Sequence, residues 1–298
     1  MTSAGRFAPS PSGELHVGNL RTAILAWLFA RSTGRRFLMR VEDLDRARAG
    51  AEAEQLRDLA AIGVNWDGGV VRQTDREPLY AEAIARLAAA GLSYECFCSR
   101  REIQEAPSAP HAPQGAYPGT CRNLSAAERE LRRAARPAAI RLRAAKVEGT
   151  VQDTLHGSYT GVVDDFVLRR NDGVTAYNLA VVVDDAAQGI DQVVRGDDLL
   201  PSTPRQAYLA SLLELPAPEY AHVPLVLNAD GARLAKRDGA VTLGDLALAG
   251  VGVDQVRDTL LASLGLPAGP LEQALAVFDP AALPLEPWVW PGLARRGA

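Results

Sequence analysis

Apolar positions along this chain alternate between short runs of strand length and longer stretches with helical spacing. Arg6-Phe7-Ala8 marks a short apolar strand, and Leu20 to Ala30 an apolar, alanine-rich helix. Phe37 to Val41 reads as a buried strand, Ala51 to Ile62 as a helix, and Arg76 to Ala90 as another helix stopped by Gly91. Such alternation predicts a parallel sheet. From Tyr94 to Gly173 it breaks into Cys, Pro and Gly punctuation, a charged helix over Ala126 to Arg136, and short strands near Ile140 to Arg143 and Phe166 to Arg169. It then resumes. Tyr177 to Val183 and Gln192 to Arg195 read as strands, Thr203 to Leu215 as a helix, Val223 to Leu227 as a strand turning at Asn228-Ala229-Asp230-Gly231, and Val253 to Leu264 as a further helix. The expected fold is α/β, a doubly wound parallel sheet in two halves, residues 1–94 and 174–232. An insertion over 95–173 splits it and a short helical region over 233–298 follows. Ligands of such sheets bind at the carboxyl ends of the strands.

Composition narrows the class without naming an activity. The chain has 298 residues, 47% apolar and 23% charged, enough for a large core in one large or two to three smaller domains. Met1 to Arg6 carries no apolar secretory stretch and no run is long enough to cross a bilayer, so a cytoplasmic protein with no membrane partner is expected. The formal charge of −4 argues against indiscriminate binding to polyanions. Arginines nevertheless crowd Arg100, Arg101, Arg122, Arg129, Arg132, Arg133, Arg136, Arg141 and Arg143. They either line the phosphates of an RNA or form a solvated helix face with Glu128 and Glu130. The cysteines, Cys96, Cys98 and Cys121, are too few for a disulfide scaffold, and their clustering favours a metal over three buried thiols.

Two distant segments carry the candidate chemistry. Pro9-Ser10-Pro11-Ser12-Gly13-Glu14-Leu15-His16-Val17-Gly18-Asn19 joins a strand to an apolar helix, with His16 where the helix begins and Gly18 leaving room for a polyphosphate. Arg233-Leu234-Ala235-Lys236-Arg237 is a loop carrying cations. Of the 32 basic residues only Lys146 and Lys236 are lysines, which hints that a compact ammonium is wanted in this loop, although a solvated surface lysine remains open. His16 alone equally suits a helix cap or a core histidine.

These residues resemble class I aminoacyl-tRNA synthetases, and within them the glutamyl branch. His16-Val17-Gly18-Asn19 is similar to their first signature and Arg233-Leu234-Ala235-Lys236-Arg237 to their mobile-loop signature. Further support comes from Arg6-Phe7-Ala8-Pro9-Ser10, Arg40-Val41-Glu42-Asp43-Leu44-Asp45, Tyr177 to Asp185 and Val194 to Leu200. The resemblance implies a Rossmann-like catalytic domain split by a zinc-bearing, RNA-contacting insertion. It implies that Arg6 through Ser10 and Arg195 surround the carboxylates of L-glutamate, that Glu42 receives its ammonium and that Tyr177 walls the pocket. From the residues alone, Glu42 equally pairs with Arg40 or Arg46 on the surface, and Tyr177 equally belongs to a strand core. ATP, with Mg²⁺ on its leaving phosphates, falls to His16, the backbone amides near Gly18 and Asn19, and Lys236. His16 and Lys236 are the expected catalytic pair.

For the cysteines the resemblance supplies a fourth ligand to a structural zinc, Tyr117 beside Cys96, Cys98 and Cys121; His111 is the more conventional chemical candidate. The region after the lysine loop is short and proline-rich, with Phe278-Asp279-Pro280 and Trp288-Val289-Trp290, and is too small for an anticodon-reading domain. That resembles the short paralogues of the branch, which activate glutamate without tRNA and attach it to queuosine in the anticodon of tRNA(Asp). A monomer of this kind is expected. The alternatives are a shortened enzyme charging tRNA(Glu) and a non-catalytic RNA-binding paralogue. The signatures depart from the pattern at Asn19, where many members have histidine, and in keeping a single lysine.

Overall fold

The computed structural model describes residues 3–105, 117–144, 147–234 and 241–292. In chain order the elements are β1 (Ala4–Phe7), α1 (Val17–Ser32), β2 (Arg36–Val41), α2 (Ala51–Ala61), β3 (Val71–Arg72), α3 (Glu77–Ala89) and β4 (Ser93–Cys96). Next come α4 (Arg100–Glu105), α5 (Ala126–Ala135), β5 (Ala139–Leu142), β6 (Val147–Asp153), β7 (Gly157–Val163), β8 (Val167–Arg169), α6 (Tyr177–Gln188) and β9 (Ile190–Gly196). The last are α7 (Thr203–Leu212), β10 (Glu219–Val223), β11 (Val226–Leu227), α8 (Leu243–Leu248), α9 (Val253–Ala262), α10 (Leu271–Ala276) and β12 (Trp288–Val289). No helix among the described residues is long and apolar enough to cross a membrane.

Seven strands form the central sheet in the order β3-β2-β1-β9-β10-β6-β7. Every neighbouring pair is parallel except β6 with β7, which is an antiparallel hairpin at one edge. The expected mainly parallel α/β sheet is therefore present. Residues 147–163, which the sequence assigns to the insertion, add this hairpin to the main sheet instead. What stands apart from it is the three-stranded antiparallel sheet β4-β5-β8 and the cysteine segment beside it.

Side-chain alternation explains how the sheet is covered on both faces. Phe37 and Met39 of β2 join α1 in the largest core cluster, while Leu38 between them packs with Ala4, Ile190, Val193 and Tyr220. Helix α1 is buried along nearly its whole length, from Val17 to Ala30. Its apolar residues therefore run all round the helix rather than along one stripe. On its far side lie α9 and α10, whose Val256, Leu260, Leu261, Leu271 and Ala274 share that cluster. The C-terminal region is thus an outer layer over α1.

One predicted strand is a helix. Tyr177 to Val183, read as a strand from its run of valines, opens α6, which ends at Gly189 in the left-handed conformation (φ 69°). A short apolar run cannot by itself tell a buried strand from a buried helix, and here packing against α3, α7 and β8 overrides the β preference of the valines. Helical spacing also puts Tyr177, Val181, Asp184, Asp185 and Gln188 along one side, whereas a strand would send Asp184 and Asp185 to opposite faces. The predicted strand Val223 to Leu227 is divided at Pro224, which has no N–H for a ladder and whose carbonyl accepts from Arg21 Nη1 at 3.0 Å.

At Gly5, β1 and α1 touch so closely that a Cβ would lie 2.9 Å from Ala30 Cβ. Gly5→Val should therefore destabilise the protein by about 1–3 kcal/mol through overpacking. A fall in the urea midpoint at unchanged m-value would register it, and an unchanged midpoint would show that the contact relaxes at no cost.

Candidate active site

The carboxyl ends of β1, β2 and β9 and the start of α1 surround a cavity of about 570 Å³. Arg6, Phe7, Ala8, Pro9, Ser10, His16, Gly18, Asn19, Glu42, Tyr177 and Arg195 all line it. Every described residue proposed for glutamate or ATP thus faces one space. Lys236 lies outside the described residues. Both segments leading to it are fixed at the cavity. Arg233 lines it and pairs with Asp198 at 2.5 Å, and Leu234 N donates to Val226 O at 3.1 Å. On the other side Val17 N donates to Val241 O at 2.8 Å, with His16 bridged to Thr242.

His16 is the N-cap of α1. Its Nδ1 accepts from the amides of Gly18 (3.1 Å) and Asn19 (3.3 Å), and Asn19 Oδ1 accepts in return from His16 N at 3.2 Å. The amides of Gly18 and Asn19, expected to face phosphate, are therefore engaged by the histidine. Acceptance at Nδ1 leaves the ring proton on Nε2. A Cβ at Gly18 would come within 3.0 Å of that ring and 3.2 Å of Val226 Cβ, so any larger residue there must push the ring or Val226 aside. Asn19 is accordingly a capping partner that fixes the ring.

The floor is a buried charge network. Asp185 Oδ1 accepts from Arg6 Nε at 3.1 Å and from Arg40 Nη1 at 2.8 Å. Asp184 accepts from Tyr80 Oη at 2.9 Å, Gln73 Nε2 at 2.8 Å and Arg76 Nε at 2.5 Å, with Arg40 Nε 3.7 Å away. Glu42 Oε1 lies 3.4 Å from Arg40 Nη2. Arg40, which the sequence could pair with Glu42 only at the surface, is fully buried. Burial disfavours its charge, but Asp185, Glu42 and Asp184 outweigh that and raise it. Burial likewise opposes ionisation of Asp185, yet Arg6 and Arg40 hold it below the usual carboxylate range. Glu42 goes the other way. Its burial pushes it up more strongly than Arg40 and Arg6 pull it down, leaving a carboxyl group that a further cation would help to ionise. Sequence reading gave no role to Asp184 and Asp185, and the acidic pair closing an apolar helix was the available signal.

Arg195 is held differently. It is buried, and among the described residues no carboxylate lies in ion-pair range of it. Its Nε donates to His222 Nε2 at 3.0 Å, Nη2 to Thr203 Oγ1 at 2.9 Å and Nη1 to Tyr177 Oη at 3.4 Å. Tyr177 consequently serves as a wall and hydrogen-bond partner from the first turn of a helix.

The thiols of Cys96, Cys98 and Cys121 lie within 4.8 Å of one another. Tyr117 Oη stands 3.3 Å from Cys96 Sγ and 3.6 Å from Cys98 Sγ, and accepts from Cys121 N at 2.8 Å. Three soft sulfur donors and one phenol oxygen around a single point match the tetrahedral, thiolate-rich preference of zinc. Without a cation burial pushes the Cys98 thiol up to about 11. His111, the other candidate ligand, lies outside the described residues. The expected Arg141 lies 3.8 Å over the Tyr117 ring, while Arg133 and Arg136 pair with Glu95 and Glu102 on the surface.

A family described as "tRNA synthetases class I (E and Q), catalytic domain" matches residues 4–269. A glutamyl-Q tRNA(Asp) synthetase of Nocardia farcinica is 69% identical, over 96% of this chain and 92% of its own. One of Symbiobacterium thermophilum is 47% identical, over 95% and 94%. Among solved structures, a glutamate tRNA ligase from Elizabethkingia meningosepticum, in complex with its amino acid, superposes with a TM-score of 0.80 at 27% identity. That match covers 97% of this chain and 66% of the other, so the chain spans just under two thirds of that ligase.

Arg40→Met should leave Asp184, Asp185 and Glu42 without their shared cation and destabilise the fold by about 3–5 kcal/mol. Urea unfolding followed by circular dichroism checks this, and a loss under about 1 kcal/mol would mean that the floor tolerates its uncompensated charge.

Proposed function

Since the chain belongs to the family of class I tRNA synthetase catalytic domains for glutamate and glutamine, we propose that it activates L-glutamate with ATP, without tRNA, and transfers it to queuosine in the anticodon of tRNA(Asp). The observation that carries the reading is the pairing, in one cavity, of an arginine with no carboxylate partner among the described residues and a carboxyl group poised for a cation. A free amino acid brings the two missing charges. Arg195 takes a carboxylate, Glu42 takes the ammonium and is ionised by it, and Tyr177 closes the wall. The relatives named glutamyl-Q tRNA(Asp) synthetase, matched over nearly their whole length, direct the choice of acceptor.

The reaction needs no protein nucleophile. A glutamate α-carboxylate oxygen attacks the α-phosphorus of ATP, the bond to the bridging oxygen of the β-phosphate breaks, and pyrophosphate leaves. A hydroxyl of the acceptor then attacks the acyl carbon and AMP departs. The Nε2–H of His16, the positive end of α1 and Lys236 stabilise charge on the phosphates. Mg²⁺ bound with ATP supplies neutralisation of the leaving phosphates. The acceptor approaches through a second cavity of about 860 Å³, which shares Ser10, Ser12, Glu42 and Tyr177 with the first and bears Arg46, Arg100, Arg136, Arg141 and Arg170. A structural zinc held by Cys96, Cys98, Tyr117 and Cys121 would fix the arm on which part of that cavity rests. The protein is proposed to act as a cytoplasmic monomer.

Labelled glutamate and ATP should give pyrophosphate exchange without RNA, and label should then appear on tRNA(Asp) containing queuosine, not on tRNA(Asp) lacking it. Label on tRNA(Glu) alone rejects the acceptor, and Lys236→Ala should slow exchange about a hundredfold or more. Purified protein should release about one zinc per chain on thiol modification. Cys121→Ser should release far less, and equal metal in both would reject the proposed ligand set.

A further inference from the structure

We propose that Asp153 and His222 form a relay that orients Arg195 and balances its charge while keeping its guanidinium open to a substrate carboxylate. His222 on β10 is fully buried between Arg195 on β9 and Asp153 at the end of β6. Its Nδ1 lies 2.6 Å from Asp153 Oδ2, and its Nε2 lies 3.0 Å from Arg195 Nε and 3.1 Å from Thr203 Oγ1. Arginine only donates, so Nε2 must be the acceptor and the ring proton must sit on Nδ1, pointing at Asp153. Asp153 is fixed as an anion by the amides of His222 (3.1 Å), Leu155 (3.0 Å) and His156 (3.0 Å). The β6–β7 hairpin on the edge of the central sheet is what brings it there, with Asp153 opposite Tyr220.

The contrast with Arg6 and Arg40 gives the relay its meaning. Those two share Asp185 directly as an ion-pair partner, and Arg40 also lies within range of Glu42 and Asp184. A carboxylate placed so on Arg195 would occupy the donors that a substrate needs. An imidazole in between transmits the negative field and fixes the plane of the guanidinium, and covers only Nε. Other groups facing His222 are few: His156, whose Nε2 lies 3.0 Å from His222 O, Asp197 after β9, Thr203 of α7, and the Tyr220 ring stacked at 6.1 Å. Burial, with a contribution from Arg195, keeps His222 below the usual histidine range despite Asp153. The acceptor form therefore prevails at neutral pH and is lost as pH falls through that lowered value.

This inference rests on the assignment of glutamate to the cavity, so its test has one readout with substrate and one without. In pyrophosphate exchange, Asp153→Asn should raise the KM for glutamate about tenfold or more while the KM for ATP changes less than about twofold. Asp153→Glu should recover part of the loss, and Thr203→Val, a smaller change, should raise the same KM alone. In the parent protein the KM for glutamate should climb at acid pH, and Asp153→Asn should move that limb to lower pH. Equal rises in both KM values, or none, would overturn the relay. Without substrate, ¹⁵N NMR of the imidazoles at neutral pH should give His222, identified by its loss in His222→Gln, as a single Nδ1–H tautomer. An Nε2–H form would overturn the relay even if no amino acid supports exchange, whereas the Nδ1–H form with no glutamate-dependent exchange would sink only the assignment of substrate.

Discussion

Two adjacent aspartates near the end of α6 tie this site to its scaffold. Asp184 and Asp185 are buried, and each removes several kcal/mol of hydration that only dense pairing can restore. The partners come from separate elements: Arg6 from β1, Arg40 from β2, Arg76 and Tyr80 from around α3. None of these elements can shift by an ångström without leaving a charge in apolar surroundings. The same demand aligns the carboxyl ends of β1 and β2 with the face of α6 that carries Tyr177. Rigidity at the cavity floor is thus a by-product of desolvation.

Above that floor the groups are arranged by how completely they are satisfied. Arg6 and Arg40 are ion-paired on the spot, His16 is locked by its own helix, and Arg195 is steadied by an imidazole. Glu42 is held above its ordinary range, by burial that its neighbours do not fully offset. A ligand that sets an ammonium beside Glu42 and a carboxylate beside Arg195 would relieve this imbalance.

Much of this was legible in the sequence, because backbone chemistry of the strand ends is local. The run from Pro9 to Asn19 reads as a strand-to-helix connection, and the described residues named for glutamate and nucleotide, Lys236 not among them, do meet in one cavity. Legibility failed where a decision depends on distant partners. The valines of α6 favour a strand unless one knows that α3, α7 and strands β8 and β9 surround them. Asp153 looks like a loop aspartate within an insertion, since nothing near it announces that His222 is opposite. Arg40 looks like a surface partner for Glu42 because arginines are seldom fully buried, and only its carboxylates, more than a hundred residues away, reverse that expectation. The roles of the amides at Gly18 and Asn19 turned on which nitrogen of His16 faces inward.

The position of β1 carries a consequence for how the polypeptide comes into being. It lies between β2 and β9, under a helix whose outer side is roofed by α9 and α10. During synthesis the first strand and helix must therefore wait, sticky and half-clothed, until residues far downstream have left the ribosome. Such a nascent chain is a natural client for holding chaperones, and slowing translation before β9 would lengthen the interval in which its greasy N-terminal hairpin of strand and helix is at risk.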